Sequence, residues 1–105
     1  MGQENPSGAE ADRDAPVVTR RVRVPNAAGL HARPCHALAS TALGFQSDVE
    51  VSCSGRRANG KSILELMTLH AAQGAELEFS ARGPDAAALV AALSALVDAG
   101  FGEPS

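Results

Sequence analysis

The stretch Val18–Gly44, VTRRVRVPNAAGLHARPCHALASTALG, changes its period once, and that change decides the fold. Val18, Val22 and Val24 stand at even spacing with polar residues between them, the period-two pattern of a strand with one buried face, and Pro25 ends it. After a loop, Cys35, Leu38, Ala39 and Ala42 recur at helical spacing until Gly44 supplies a stop. A strand feeding a helix is the first unit.

Working outward, residues 48–54 alternate again, with Val49, Val51 and Cys53 on one side and Asp48, Glu50, Ser52 and Ser54 on the other, before a turn at Gly55. A short return strand at 56–58 meets the Asn59-Gly60 turn. Ser62-Ile63-Leu64-Glu65 has the form of a capping box, and the apolar run ILELMTLHAA behind it predicts a helix that Gly74 closes. Leu77, Phe79 and Ala81 alternate with Glu76, Glu78 and Ser80 in a last strand. Gly83-Pro84-Asp85 then opens a third helix, with proline expected in its first turn and the stripe Leu89, Val90, Leu93, Leu96 and Val97 turned inward until Gly100. The order β-α-β-β-α-β-α, with every strand polar on one face, is satisfied by an α+β fold: a four-stranded antiparallel sheet carrying three helices on one face.

Composition limits what such a chain can do. Its 105 residues are 45% hydrophobic but include only three phenylalanines and neither tryptophan nor tyrosine, so aliphatic and alanine packing must build the core. The net charge of −3 sits entirely in residues 1–16, where Glu4, Glu10, Asp12 and Asp14 face Arg13 alone; the remainder balances. A nucleic-acid binder would need a concentrated basic face, so that class is excluded. The opening MGQENPSGAEADRDAP has no apolar run and reads as a disordered acidic leader, neither a signal peptide nor a membrane span. With no export signal, Cys35 and Cys53 are expected reduced in a cytoplasmic protein, both as small core residues. His36 and His70 lack paired ligand spacing, so no metal and no cofactor is expected. A hydrolase is disfavoured as well, because no nucleophile with an orienting acid can be set beside His31.

His31 carries the chemistry. Pro34 is tolerated in the first turn of a helix, which places His31 at or just before its N-cap and Arg33 inside the turn. Unpaired amides, the positive helix end and a guanidinium then converge on one spot suited to an anion such as a phosphoryl group. The same field is expected to hold the imidazole neutral, with a ring nitrogen able to attack phosphorus. Gly29 lets the loop backbone approach closely.

The motif GLHARP at 29–34, NGKSI at 59–63 and the ending GPDAAALVAALSALVDAGFGE resemble HPr, the histidine phosphocarrier family of the bacterial phosphoenolpyruvate sugar phosphotransferase system, over residues 17–103 in order. The resemblance implies an open-faced β-sandwich, residues 17–105 forming one HPr-like domain behind the leader, and a carrier rather than an enzyme. His31 would accept a phosphoryl group at Nδ1 from phosphorylated enzyme I and pass it to the A component of an enzyme II, with Arg33 steadying the phosphate and Gly29 and Pro34 in support. Ser62 would be the regulatory target of an HPr kinase/phosphorylase, and Lys61, Ile63, Leu64 and Met67 would form a docking patch. A monomer suffices. Where relatives commonly carry lysines this chain has Ser40, Leu43 and Glu65, so electrostatic steering toward enzyme I is expected to be weaker. The alternative is a regulatory module of the same fold that signals through its His31 and Ser62 phosphorylation state without feeding sugar uptake.

Overall fold

The alternation at 18–24 becomes strand β1, Val17–Arg23, in a computed structural model that describes residues 16–103. The leader, Pro16 excepted, lies outside the described residues, as do residues 104 and 105. Helix α1 spans Ala32–Leu43, β2 Asp48–Cys53, β3 Arg56–Asn59, α2 Ile63–Met67, β4 Glu76–Arg82 and α3 Ala86–Asp98, followed by a 3₁₀ turn at Gly100–Gly102. The strands lie in the order β1-β4-β2-β3 with every neighbouring pair antiparallel. Strand β4 therefore runs down the middle of the sheet, and its alternate residues Leu77, Phe79 and Ala81 are fully enclosed.

Each element buries the face that its period marks. Cys35, Leu38, Ala39 and Ala42 of α1 and Leu89, Val90, Leu93 and Val97 of α3 meet Val49, Val51 and Cys53 of β2 in one continuous core. The opposite sheet face is open and polar. Cross-strand neighbours there have opposite charge, as in Arg21 of β1 and Glu78 of β4 at 3.3 Å, an exposed pair that fixes register more than it stabilises. This is the open-faced α+β sandwich, and both cysteines sit inside it with free thiols. Burial pushes the Cys35 thiol up to about 11. No helix among the described residues is long and apolar enough to cross a membrane.

Helix α2 is shorter than its apolar run predicts. Past Met67 the backbone is bonded to another part of the chain instead of continuing the helix: the Ala71 carbonyl accepts from Leu30 N at 2.9 Å. Gly74 N likewise donates to Val24 O, and Val24 N to Ala75 O. The residues after Met67 are thus claimed by the β1–α1 loop, and His70 leaves the helix in the left-handed region at φ 50°. The capping box is also only half formed: Ser62 Oγ accepts from Glu65 N at 3.2 Å, but the Glu65 carboxylate reaches past Ser62 to accept from Asn59 N at 2.9 Å. Pro84, expected in the first turn of α3, instead precedes its N-cap, Asp85.

Asp85 makes no cap bond to its own helix. Its carboxylate accepts from Ser47 Oγ, Ser47 N and Gln46 N at 2.6, 2.8 and 3.0 Å, tying α3 to the α1–β2 loop. These bonds, the Ser47 hydroxyl foremost, hold the carboxyl below its ordinary value. A depressed acid stabilises the fold above the unfolded-state pKa, about 4 for Asp, and loses that contribution as pH falls through the lower folded value. Urea unfolding measured across a pH series should therefore show stability falling below about pH 4, and Asp85→Asn should flatten that part of the profile while lowering stability at pH 7.

Candidate functional site

The site begins with a backbone accommodation. Gly29 adopts φ +69°, and a Cβ placed there would lie 2.5 Å from the Ala71 carbonyl oxygen. Only glycine lets the loop lie so close to residues 71 and 72, where Leu30 N can reach Ala71 O. The close approach expected of Gly29 is thus to the chain's own segment beyond α2. Asn26 reinforces the turn, its side-chain amide donating to Gly29 O at 2.9 Å.

That turn delivers His31 to the N-cap of α1, with extended backbone and no side-chain cap bond to its own helix. The ring is free for other work. Its side chain is 43% exposed, so a partner can reach it. Ala32 and Arg33 occupy the first two helical positions, and their amides find no backbone acceptor among the described residues. Pro34 comes third, buried and without an amide hydrogen, while Cys35 N closes the first helical bond to His31 O. Arg33 is exposed. Two unpaired amides and the positive end of a 12-residue helix therefore stand beside the imidazole, with exposed Arg33 two residues further along the chain.

Glu103, 72 residues away, was not singled out by sequence reasoning. Its Oε2 lies 2.9 Å and its Oε1 3.2 Å from His31 Nε2. The carboxylate arrives there because Gly100, Phe101 and Gly102 all take positive φ and fold the chain back after α3. A carboxylate can only accept, so the neutral ring keeps its hydrogen on Nε2. The lone pair is then on Nδ1, which makes no hydrogen bond with the described residues. The chemistry available is nucleophilic attack through Nδ1 on an electrophile whose negative charge meets the helix end. The sequence signal for Glu103 was faint: two glycines around Phe101 just past the helix, followed by an acid.

The remaining predicted residues divide. Leu64 and Met67, three apart on α2, are exposed at 78% and 37%, and Leu43 at the end of α1 at 64%. Ile63 is half-buried against the core, and Leu66 is fully enclosed. Lys61, expected as a basic docking group, is half-buried and donates from Nζ to Phe45 O at 3.0 Å, just beyond the end of α1. Ser62 is held by its cap bond. Two surface hollows of about 580 and 570 Å³ open on the polar sheet face, and neither is lined by His31. Among the described residues no group of three or more His, Cys, Asp or Glu could hold a metal ion.

Comparison with known proteins agrees with this geometry. Residues 18–99 match the family described as the PTS HPr component phosphorylation site. The phosphocarrier protein HPr of Neisseria meningitidis serogroup A is 39% identical over 87 residues, covering 83% of this chain and 98% of that protein. The multiphosphoryl transfer protein of Vibrio cholerae is 39% identical over 88 residues, 81% of this chain but 22% of that much longer protein. A crystal structure of HPr from Thermoanaerobacter tengcongensis superposes with a TM-score of 0.80 at 34% identity, covering 84% of this chain and 99% of the other. With the open-faced sandwich, the histidine at the mouth of α1 and a relative matched over nearly its whole length, the chain belongs to the HPr phosphocarrier family of the phosphotransferase system.

Proposed function

We propose that the protein carries a phosphoryl group on His31 Nδ1, accepting it from phosphorylated enzyme I and giving it to the A component of an enzyme II. The observation that supports this is the hydrogen bond of His31 Nε2 to Glu103, which leaves Nδ1 open on an exposed ring beside two unpaired amides. In the forward step the Nδ1 lone pair attacks phosphorus as the donor's bond to the phosphoryl group breaks. The hydrogen stays on Nε2, so the ring becomes positive and the Glu103 carboxylate, 2.9 Å away, faces the new charge. Arg33 and the amides of Ala32 and Arg33 take the phosphoryl oxygens. The reverse step needs only another acceptor in line, and the partners supply the rest by positioning around a loose transition state. Such a relay suits a site on the surface outside either hollow, with a cytoplasmic location near phosphoenolpyruvate.

The exposed Leu64 and Met67, with half-buried Ile63, serve as the apolar part of the docking surface in this reading. Positive charge there is thin. Lys61 is engaged with Phe45 O, while exposed Ser40, Leu43 and Glu65 replace common lysines. That thinning favours the regulatory module as a second reading, with Ser62 the target of an HPr kinase/phosphorylase; a phosphate there would share a turn with Glu65 and repel it.

Incubation with phosphoenolpyruvate and enzyme I should give one acid-labile phosphoryl group, lost when an enzyme II A component is added. A label that forms but is refused by every A component would favour the regulatory reading, and an acid-stable, Ser62-dependent phosphate from the kinase would support its second arm. No acid-labile label with any enzyme I would end the carrier reading.

A further inference from the structure

We infer that Asn26 is a positioning residue that holds Glu103 against His31 and thereby decides which ring nitrogen is left open; the inference deepens the carrier reading and rests on it. Asn26 is 1% exposed, and both hydrogens of its side-chain amide are spent, one on Gly29 O at 2.9 Å and the other on Glu103 Oε1 at 3.1 Å. The same carboxylate then meets His31 Nε2 through both oxygens. Asn26, Glu103 and His31 thus form one chain of charge-assisted bonds running from the buried turn to the exposed ring.

The orientation of the amide is not a free choice. Turning it over would set its oxygen against a carbonyl and a carboxylate, both acceptors, so the bonds themselves assign the nitrogen. Its Oδ1 is buried without a hydrogen-bond partner. A buried polar side chain is ordinarily satisfied at all its atoms. Here one acceptor is left idle while both donors are used, so the position selects for two donors at that reach. Aspartate has the same shape and no donors, and would place a second carboxylate beside Glu103. Alanine would leave Glu103, at the end of the Gly100–Gly102 turn, with the exposed histidine as its one remaining side-chain hydrogen-bond partner among the described residues.

Nitrogen NMR of the ring in the full-length chain, at a pH where the imidazole is neutral, reads the tautomer directly and needs no phosphoryl donor. The wild-type ring should carry its hydrogen on Nε2 alone. Asn26→Ala and the isosteric Asn26→Asp should give mixed tautomers and slow phosphorylation by enzyme I about tenfold, equivalent to ~1.4 kcal/mol. In a Glu103→Ala background, adding Asn26→Ala should change the tautomer ratio no further, because Asn26 acts on the tautomer only through the carboxylate. An unchanged tautomer in a folded Asn26→Asp or Asn26→Ala chain would overturn the proposal. So would an effect on the tautomer ratio fully additive with Glu103→Ala. If neither Asn26 variant folds, a wild-type tautomer ratio in Glu103→Ala alone overturns it equally. A tautomer change in the variants, with a wild-type chain that takes no phosphate from any enzyme I, refutes the carrier reading and leaves the positioning role standing.

Discussion

Replacing His31 with alanine is expected to abolish uptake of acid-labile phosphate from phosphoenolpyruvate and enzyme I while leaving the fold intact. Loss is total rather than partial because the group removed is the covalent acceptor, and no arrangement of the remaining amides or of Arg33 supplies a nucleophile. The fold should survive for a local reason: His31 is exposed, sits at the N-cap without capping its helix through the side chain, and contributes its backbone carbonyl to Cys35 N whatever the side chain is. The truncation removes one charge-assisted bond to Glu103, about 1 kcal/mol at a half-exposed position. Radiolabel incorporation and a thermal melt on the same preparation separate the two effects. Label retained by the variant would move the acceptor elsewhere; His36, exposed on α1 and 3.4 Å from Ser40 Oγ through Nε2, would then be the next position to substitute.

What could be read from residue order follows from what each element depends on. Strands β1, β2 and β4 and helices α1 and α3 carry their burial in their own periodicity, so Val49–Cys53, Leu77–Ala81 and the Cys35–Ala42 stripe face the core as the alternation and the helical spacing require. His31 and Arg33 were legible for the same reason, since a helix start is a local event marked by Gly29 and Pro34. The length of α2 was not, because its end is set by bonds from Leu30 and Val24 to residues 71–75, which no window around Ser62 contains. The bond that Lys61 makes was hidden for a similar cause, as its acceptor, Phe45 O, lies 16 residues earlier. Glu103 is the extreme case. Its partner is 72 residues away, and the turn that brings it there depends on three successive positive-φ residues, of which only the two glycines announce themselves.

The dependence of the site on the segment beyond α2 makes Gly29→Ala the largest stability change expected in the loop. The new Cβ would meet Ala71 O at 2.5 Å and the Ala72 Cα at 3.1 Å, both backbone atoms that cannot swing aside as a side chain can. Relief requires the loop to lift, which breaks the Leu30 N to Ala71 O bond and shifts Gly29 O, the acceptor for His31 N. The left-handed conformation costs about 1 kcal/mol for alanine and the lost bond about as much again, with the displacement of packed backbone bringing the total to roughly 2–4 kcal/mol. For a domain of this size that is a fall in Tm of about 10–20 °C. Gly55→Ala provides the internal standard, because Gly55 has φ +83° but nothing within 4 Å of its added Cβ. It should lower stability only by the conformational term, so the difference between the two variants isolates the contact with Ala71. Phosphorylation should slow in Gly29→Ala at temperatures where it is still folded and remain at the wild-type rate in Gly55→Ala. Equal Tm values for the two variants would mean that the loop yields without cost, and that the placement of His31 is not anchored through residues 71 and 72.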